Sequence, residues 1–172
     1  KLQPFIVTLG GMFLARGLCY VISIDSISIT EPSFTALSEY RMSLGEETFI
    51  STGALIAVVI LLIGIYVAHF TRFGRTVYAI GGNERSAMLM GLPVGRTKIM
   101  VYVLSGFCSS LGGVLVTLYM QSGYGLHALG MELDAIAAAV IGGTLLTGGV
   151  GYLAGTLVGV MILGVIQTLI AF

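Results

Sequence analysis

The sequence predicts an all-α polytopic membrane protein, and three observations carry that reading. Of its 172 residues, 56% are hydrophobic and only 9% are charged, whereas roughly a quarter of an average soluble domain is charged. Uncharged apolar runs of spanning length recur along the chain, and the loops between them differ sharply in charge. This composition excludes a disordered chain, and two cysteines exclude a disulfide-stapled secreted module. A formal net charge of zero leaves no basic footprint for nucleic acid. The 25 glycines beside 3 prolines suit helices that pack closely within a membrane.

A spanning helix needs about 20 predominantly apolar residues. Leu2–Ile24 qualifies despite Arg16, and Phe49–Ala68 and Ile99–Met120 qualify without a charge. Ala135–Phe172 holds no charge in 38 residues, too many for one span and few for two with a generous loop. The cluster Gly148, Gly149 and Gly151 divides it into a descending segment, a tight turn and an ascending helix. About five membrane segments result, one of them a glycine-broken helix whose turn should face the bundle interior, where unpaired backbone is tolerated. The chain opens on Lys1 rather than Met and stops in an apolar run at Phe172. It therefore reads as a segment of a longer polypeptide with a further span to follow. No small-residue cleavage site marks the opening stretch as a signal peptide.

Lys and Arg in the loops set the orientation. Thr71–Lys98 carries Arg72, Arg75, Arg85, Arg96 and Lys98 against Glu84 alone. Asp25–Glu47 carries Asp25, Glu31, Glu39, Glu46 and Glu47 against Arg41 alone. The first loop is thus cytoplasmic, with Lys1 on the same side, and the second faces outward together with Gln121–Asp134.

The inner loop is the most informative stretch. Asn83 is placed to cap a helix with Glu84 in its first turn, where an acid complements the helix dipole, and Gly91, Leu92 and Pro93 stop that helix after Met90. Ala87, Met88 and Met90 offer small or adaptable apolar contacts. Such a helix suits a groove on a partner protein. It equally suits a place on the headgroups, with its Arg side chains on anionic membrane lipid.

Asn83 and Glu84, the small pair Ser86 and Ala87, and Gly91 four positions later resemble the coupling-helix loop of ABC importer permeases, most closely the ribose, arabinose and galactofuranose group. Ser86 stands where alanine is usual. A second stretch, Gly130 to Gly151, resembles the acidic entry into the glycine-broken inner helix of the same family, and Ser122–Ala135 looks nearest to its galactofuranose members. The resemblance covers essentially the whole chain. It implies that residues 1–172 are part of a single transmembrane permease domain, the C-terminal half short of its last helix, in the bacterial inner membrane. It implies transport of a pentose or galactofuranose, with ATP hydrolysed by a separate cytoplasmic ATPase that grips Asn83, Glu84, Ser86, Ala87, Met88 and Gly91. A periplasmic sugar-binding protein and a second permease copy or sister permease are the other implied partners, and no cofactor is implied on this chain.

Other motifs carry less. Gly143 and Gly148 have the spacing of a phosphate loop, but Gly149 and Val150 stand where Lys and Ser or Thr are needed. Gly149 to Ala154 imitates a dinucleotide fingerprint without a preceding strand. Gly151, Gly155 and Gly159 repeat every fourth residue, and Gly142 and Gly143 precede them; bare backbone there lets another helix approach closely. Gly106, Ser109, Ser110 and Gly113 form a similar small face. Packing is the plainer use of both faces, and sliding during alternating access the functional one.

Intramembrane polar residues are candidates for a translocation path. Arg16 lies roughly 10 Å below the outer end of its helix at 1.5 Å per residue, placed to snorkel or to pair with Glu132 or Asp134. These two acids read as a helix cap and an acidic mouth for a docking binding protein. Gln121, Tyr124, Thr144 and Thr147 offer hydrogen bonds to a sugar, or to the broken backbone itself. Glu132 and Asp134 do not share a helical face, which disfavours a catalytic pair. His69 and His127 fall on opposite sides of the membrane, so no metal site is expected. Cys19 and Cys108 read as small buried apolar residues. Rival readings are a branched-chain amino acid permease of the same architecture and an ion-coupled secondary transporter, although the latter needs carboxylates inside the spans.

Overall fold

The computed structural model describes residues 4–32, 34, 41–43 and 49–171. Lys1, Glu39, Glu46, Glu47 and Phe172 lie outside the described residues, as does the side chain of Arg41. The chain divides into two compact units, Lys1–Gly53 with Gly112–Leu129, and Ala54–Leu111 with Gly130–Phe172.

In the first unit, helix α1 runs over Pro4–Ile22, followed by the short strand β1 (Ile27–Ser28). Strands β2 (Arg41–Ser43) and β3 (Phe49–Ser51) pair antiparallel, with Met42 opposite Ile50. β1 pairs with β4 (Ser122–Gly123) in the register Ile27 to Gly123, and the Ile29 N–H extends the pairing to the Gln121 carbonyl at 3.0 Å. These short ladders were not expected from the apolar periodicity. They satisfy backbone groups in loops where no helix does so.

The helices of the second unit follow in order. α2 (Thr52–Phe70), α3 (Arg72–Gly82), α4 (Glu84–Leu89) and α5 (Val94–Met120) precede the break, and α6 (Met131–Ile141) and α7 (Leu153–Ala171) lie either side of residues 142–152; the end of α5 belongs to the first unit. Among the described residues three helices are long and apolar enough to cross a membrane: α2, α5 and Leu153–Ile170 of α7. Five membrane segments were expected. The apolar stretch Ile6–Ile22 of α1 is shorter, and α6, at 11 residues, measures about 16 Å at 1.5 Å per residue, against a hydrocarbon core of about 30 Å.

Very little is buried among the described residues. Ala87, Val94, Thr97 and Ala138 are buried side chains, while Phe13, Leu62, Tyr119 and Ile170 are among many large apolar residues left exposed. A soluble chain does not expose apolar area on this scale; these are lipid-facing or partner-facing surfaces. Cys19 and Cys108 share that exposure, which corrects the expectation of buried thiols. Glycine supplies the closest packing. A Cβ on Gly155 would overlap the Gly142 carbonyl oxygen, and one on Gly159 would overlap that of Ala138, so α7 lies backbone against backbone on α6. Gly151 precedes α7 and instead meets the side chain of Thr144, 3.2 Å from a Cβ placed on it. A Cβ on Gly106 or Gly113 would meet nothing within 4 Å among the described residues.

The α2–α3 elbow is tight. Thr71 Oγ1 donates to the Val67 carbonyl at 2.6 Å and accepts the Gly74 N–H at 3.2 Å, ending one helix and capping the next. Gly74 is buried, and any Cβ there would overlap the Ala68 carbonyl.

Candidate functional site

Residues 72–93 form two helices and two caps. Sequence reasoning placed α4 but missed α3, whose signal was Phe73, Val77 and Tyr78 at helical spacing between Arg72, Arg75 and the glycine pair Gly81–Gly82. Asn83 belongs to both helices. Its N–H donates to the Ala79 carbonyl at 3.2 Å, closing α3, and its Oδ1 accepts the Ser86 N–H at 2.9 Å, opening α4.

The far end of α4 closes on a glycine turn. Gly91, at φ +78°, lets its N–H reach the Met88 carbonyl at 3.0 Å and the Leu92 N–H reach that of Ala87 at 3.1 Å, the bonding of a Schellman cap. Pro93 then cannot continue the helix, and its carbonyl instead accepts the Thr97 N–H and hydroxyl at 3.0 and 2.9 Å, starting α5. Asn83→Ala and Gly91→Val are each expected to cost about 1–2 kcal/mol of local stability. Hydrogen exchange at Glu84–Leu89 should quicken by at least several-fold in both; unchanged protection would show the caps to be dispensable.

Glu84 has a partner that its sequence position did not reveal. Its Oε1 lies 2.6 Å from Lys98 Nζ, a half-exposed ion pair tying α4 to the first turn of α5. Exposed pairs contribute little. Glu84→Gln should therefore lower the melting free energy of the intact protein by under about 1 kcal/mol, and by less at high salt.

The caps and the ion pair determine which face of α4 is free. Ala87 is 0% exposed, whereas Met88, Leu89 and Met90 are 60%, 86% and 68% exposed. Ala87, expected to offer a contact, is instead the seat on which the short helix rests. Ser86 and Arg85 are exposed beside the three large apolar residues. The arrangement is a latched, capped helix that presents a small apolar ridge flanked by a cation.

The expected path residues divide between the two units. Gln121, at φ 50°, and Tyr124, whose ring meets His127 edge-on at 5.4 Å, belong to the first unit, as does the half-buried Arg16 on α1. Glu132 and Asp134 lie exposed in the first turn of α6, in the second unit. The cap position there is Gly130, so neither acid is the N-cap residue, and Asp134 Oδ2 instead accepts Gln167 Nε2 at 3.3 Å. Thr144 and Thr147 follow the other end of α6. Gly143, Gly148 and Gly149 all have positive φ, and the Leu145 N–H to Val150 carbonyl bond at 3.0 Å closes the turn they form.

A cleft of about 710 Å³ in the second unit is walled by α2, α3, α5 and this turn. Its lining includes Ile60, Val67, Phe73, Val77, Leu104 and Phe107. Tyr78 and Thr144 carry the side-chain hydroxyls among its lining residues, and that of Tyr78 is engaged with the Gly151 carbonyl. A monosaccharide needs several hydrogen-bonding partners, so this cleft is a poor sugar site. Among the described residues no group of His, Cys, Asp and Glu is assembled for a metal ion.

Residues 1–172 match, from end to end, the family described as branched-chain amino acid transport system / permease component. The chain belongs to that family of permeases. These are transport subunits, not enzymes. The permease is 48% identical over 172 residues to the inner membrane ABC transporter permease protein YjfF of Escherichia coli (strain K12), covering 100% of this chain and 52% of that protein. It is 40% identical over 175 residues to the fructose import permease protein FruG of Bifidobacterium longum, covering 98% of this chain and 52% of that one. It is 41% identical over 167 residues to the ribose import permease protein RbsC of Bacillus subtilis, covering 97% and 51%. The permease thus spans about half the length of the curated relatives it matches. No solved structure matches it.

Proposed function

We propose that this permease chain forms part of the translocation path of an ATP-driven monosaccharide importer in the bacterial inner membrane, and that α4 is the element a separate ATPase grips. The observation that carries the reading is the latched α4 with Met88, Leu89 and Met90 outward, on the loop where Lys and Arg are concentrated. A short helix capped at both ends and joined to α5 through the hydrogen-bonded turn at Gly91–Pro93 can pass a push to α5, which a mechanical contact requires. The ribose and fructose import permeases among the relatives support a monosaccharide as substrate, a pentose or galactofuranose by the resemblance of the sequence itself. In this reading α6, residues 142–152 and α7 form a membrane segment broken at its glycines, α1 also inserts, and residues 1–172 are part of one permease domain without a cofactor.

The remaining partners follow from the same reading: a periplasmic sugar-binding protein over the acids Glu132 and Asp134, a second or sister permease, and lipid on the exposed apolar faces. Arg16, Gln121, Tyr124, Thr144 and Thr147 would line or support the path.

The deciding experiment purifies the full-length permease with the ATPase and binding protein that accompany it and measures uptake into liposomes. ATP-dependent entry of labelled ribose, arabinose, galactofuranose or fructose is expected. The family description favours a second reading, a branched-chain amino acid permease, and entry of leucine but of no sugar would establish it instead. Cysteines at positions 88–90 should be labelled from the cytoplasmic side only; labelling from outside would remove α4 from any ATPase.

A further inference from the structure

The helix that leads into α4 ends directly against the glycine turn that precedes α7. α3 ends at Gly81–Gly82, and Asn83, the next residue, both closes α3 and opens α4. A Cβ on Gly81 would stand 2.7 Å from the Gly149 nitrogen, and one on Gly148 would stand 2.7 Å from the Gly81 carbonyl oxygen. The two backbones therefore touch with no side chain between them. One turn earlier on α3, the Tyr78 hydroxyl donates to the Gly151 carbonyl at 2.9 Å, so α3 holds the turn at two points. Gly148 and Gly149 adopt φ +90° and +79°, which side chains rarely tolerate, and the turn is closed on itself through Leu145 and Val150.

We propose that Tyr78, Gly81, Gly148 and Gly149 form a clasp that passes displacement of α4 to the turn at 148–151 and so to α7, making them positioning residues for coupled transport. The proposal rests on α4 being the ATPase contact and extends that reading to the receiving end. Side chains between two elements absorb a shift by changing rotamer, whereas touching backbones have no rotamers to change. Hydrophobic packing alone would have placed side chains here; two glycine pairs and a buried-side hydroxyl bond hold the surfaces in one register instead.

The test uses the full-length permease reconstituted with its ATPase and binding protein, reading sugar imported per ATP hydrolysed. Tyr78→Phe removes one hydroxyl, and import per ATP should fall about fivefold while the ATPase rate stays within about twofold of the parent, the size of one hydrogen bond's net contribution. Gly81→Ala should lower the ratio at least as far. Gly82→Ala is the matched control: it makes the same change in helix propensity, but its Cβ meets nothing within 4 Å, so its ratio should equal the parent's. A parental ratio in both Tyr78→Phe and Gly81→Ala overturns the clasp while leaving the importer standing. So does an equal loss in Gly81→Ala and Gly82→Ala, or a fall of import and ATPase together in Tyr78→Phe. Should Gly81→Ala fail to assemble, Tyr78→Phe decides. If the parent complex itself imports no sugar with ATP, the importer reading fails first and takes the clasp with it.

Discussion

Gly155→Ala and Gly159→Ala are each expected to destabilise the full-length permease by about 1–3 kcal/mol, the usual cost of forcing extra atoms into a packed contact. Thermal unfolding in detergent measures this. A Cβ at either position would overlap a carbonyl oxygen of the facing segment, that of Gly142 or Ala138, and only a backbone shift can relieve it. The sign is informative because intrinsic propensity runs the other way: alanine exceeds glycine by up to about 1 kcal/mol in a helix interior. Gly164→Ala, on the same helix but with nothing within 4 Å of its Cβ, should therefore be neutral or slightly stabilising. If all three variants behaved alike, the close approach of α6 and α7 would be wrong.

Leu89→Asp is expected to reduce ATP-driven sugar uptake at least about tenfold, since a carboxylate would replace an apolar anchor at the centre of a small interface. Protection of the α4 amides against hydrogen exchange should fall by no more than about fivefold, the cost of an acid in the last turn of a helix, because the Leu89 side chain is 86% exposed. Wild-type uptake would show that the ridge touches no ATPase. Ala87→Arg is the less informative substitution. With Ala87 at 0% exposure, a guanidinium there would be buried at a cost of several kcal/mol, so the latch would open before any partner was reached, and lost uptake would say nothing about docking.

The difference between those two substitutions shows where sequence reading reached its limit. The caps of α4 were legible because their donors and acceptors lie within a few residues: Asn83 to Ser86, Gly91 to Met88, Leu92 to Ala87. Which face of the helix stays free was not legible, because it depends on where α5 returns, and Glu84 gave no hint of Lys98. α3 was missed although Phe73 and Val77 were visible, since glycines at 74, 81 and 82 weaken its propensity on paper, and the backbones that Gly74 and Gly81 touch cannot be read there. The glycine repeat at 151, 155 and 159 was read as one face. Its first member falls before the helix starts, because the turn at 148–149 closes late, through the Val150 carbonyl.

Apolar run length and the capping residues of α4 were determined by the sequence alone: a helical membrane chain and a short rod with defined ends. Each of these depends on solvent transfer or on bonds between near neighbours, which one strand of text already contains. The tertiary structure alone decided that Ala87 is sealed, that Met88, Leu89 and Met90 face out, and that Tyr78 reaches Gly151 across 73 positions. Contacts at that separation depend on how backbones meet in space, and a glycine looks the same on paper whether it touches another backbone or open lipid.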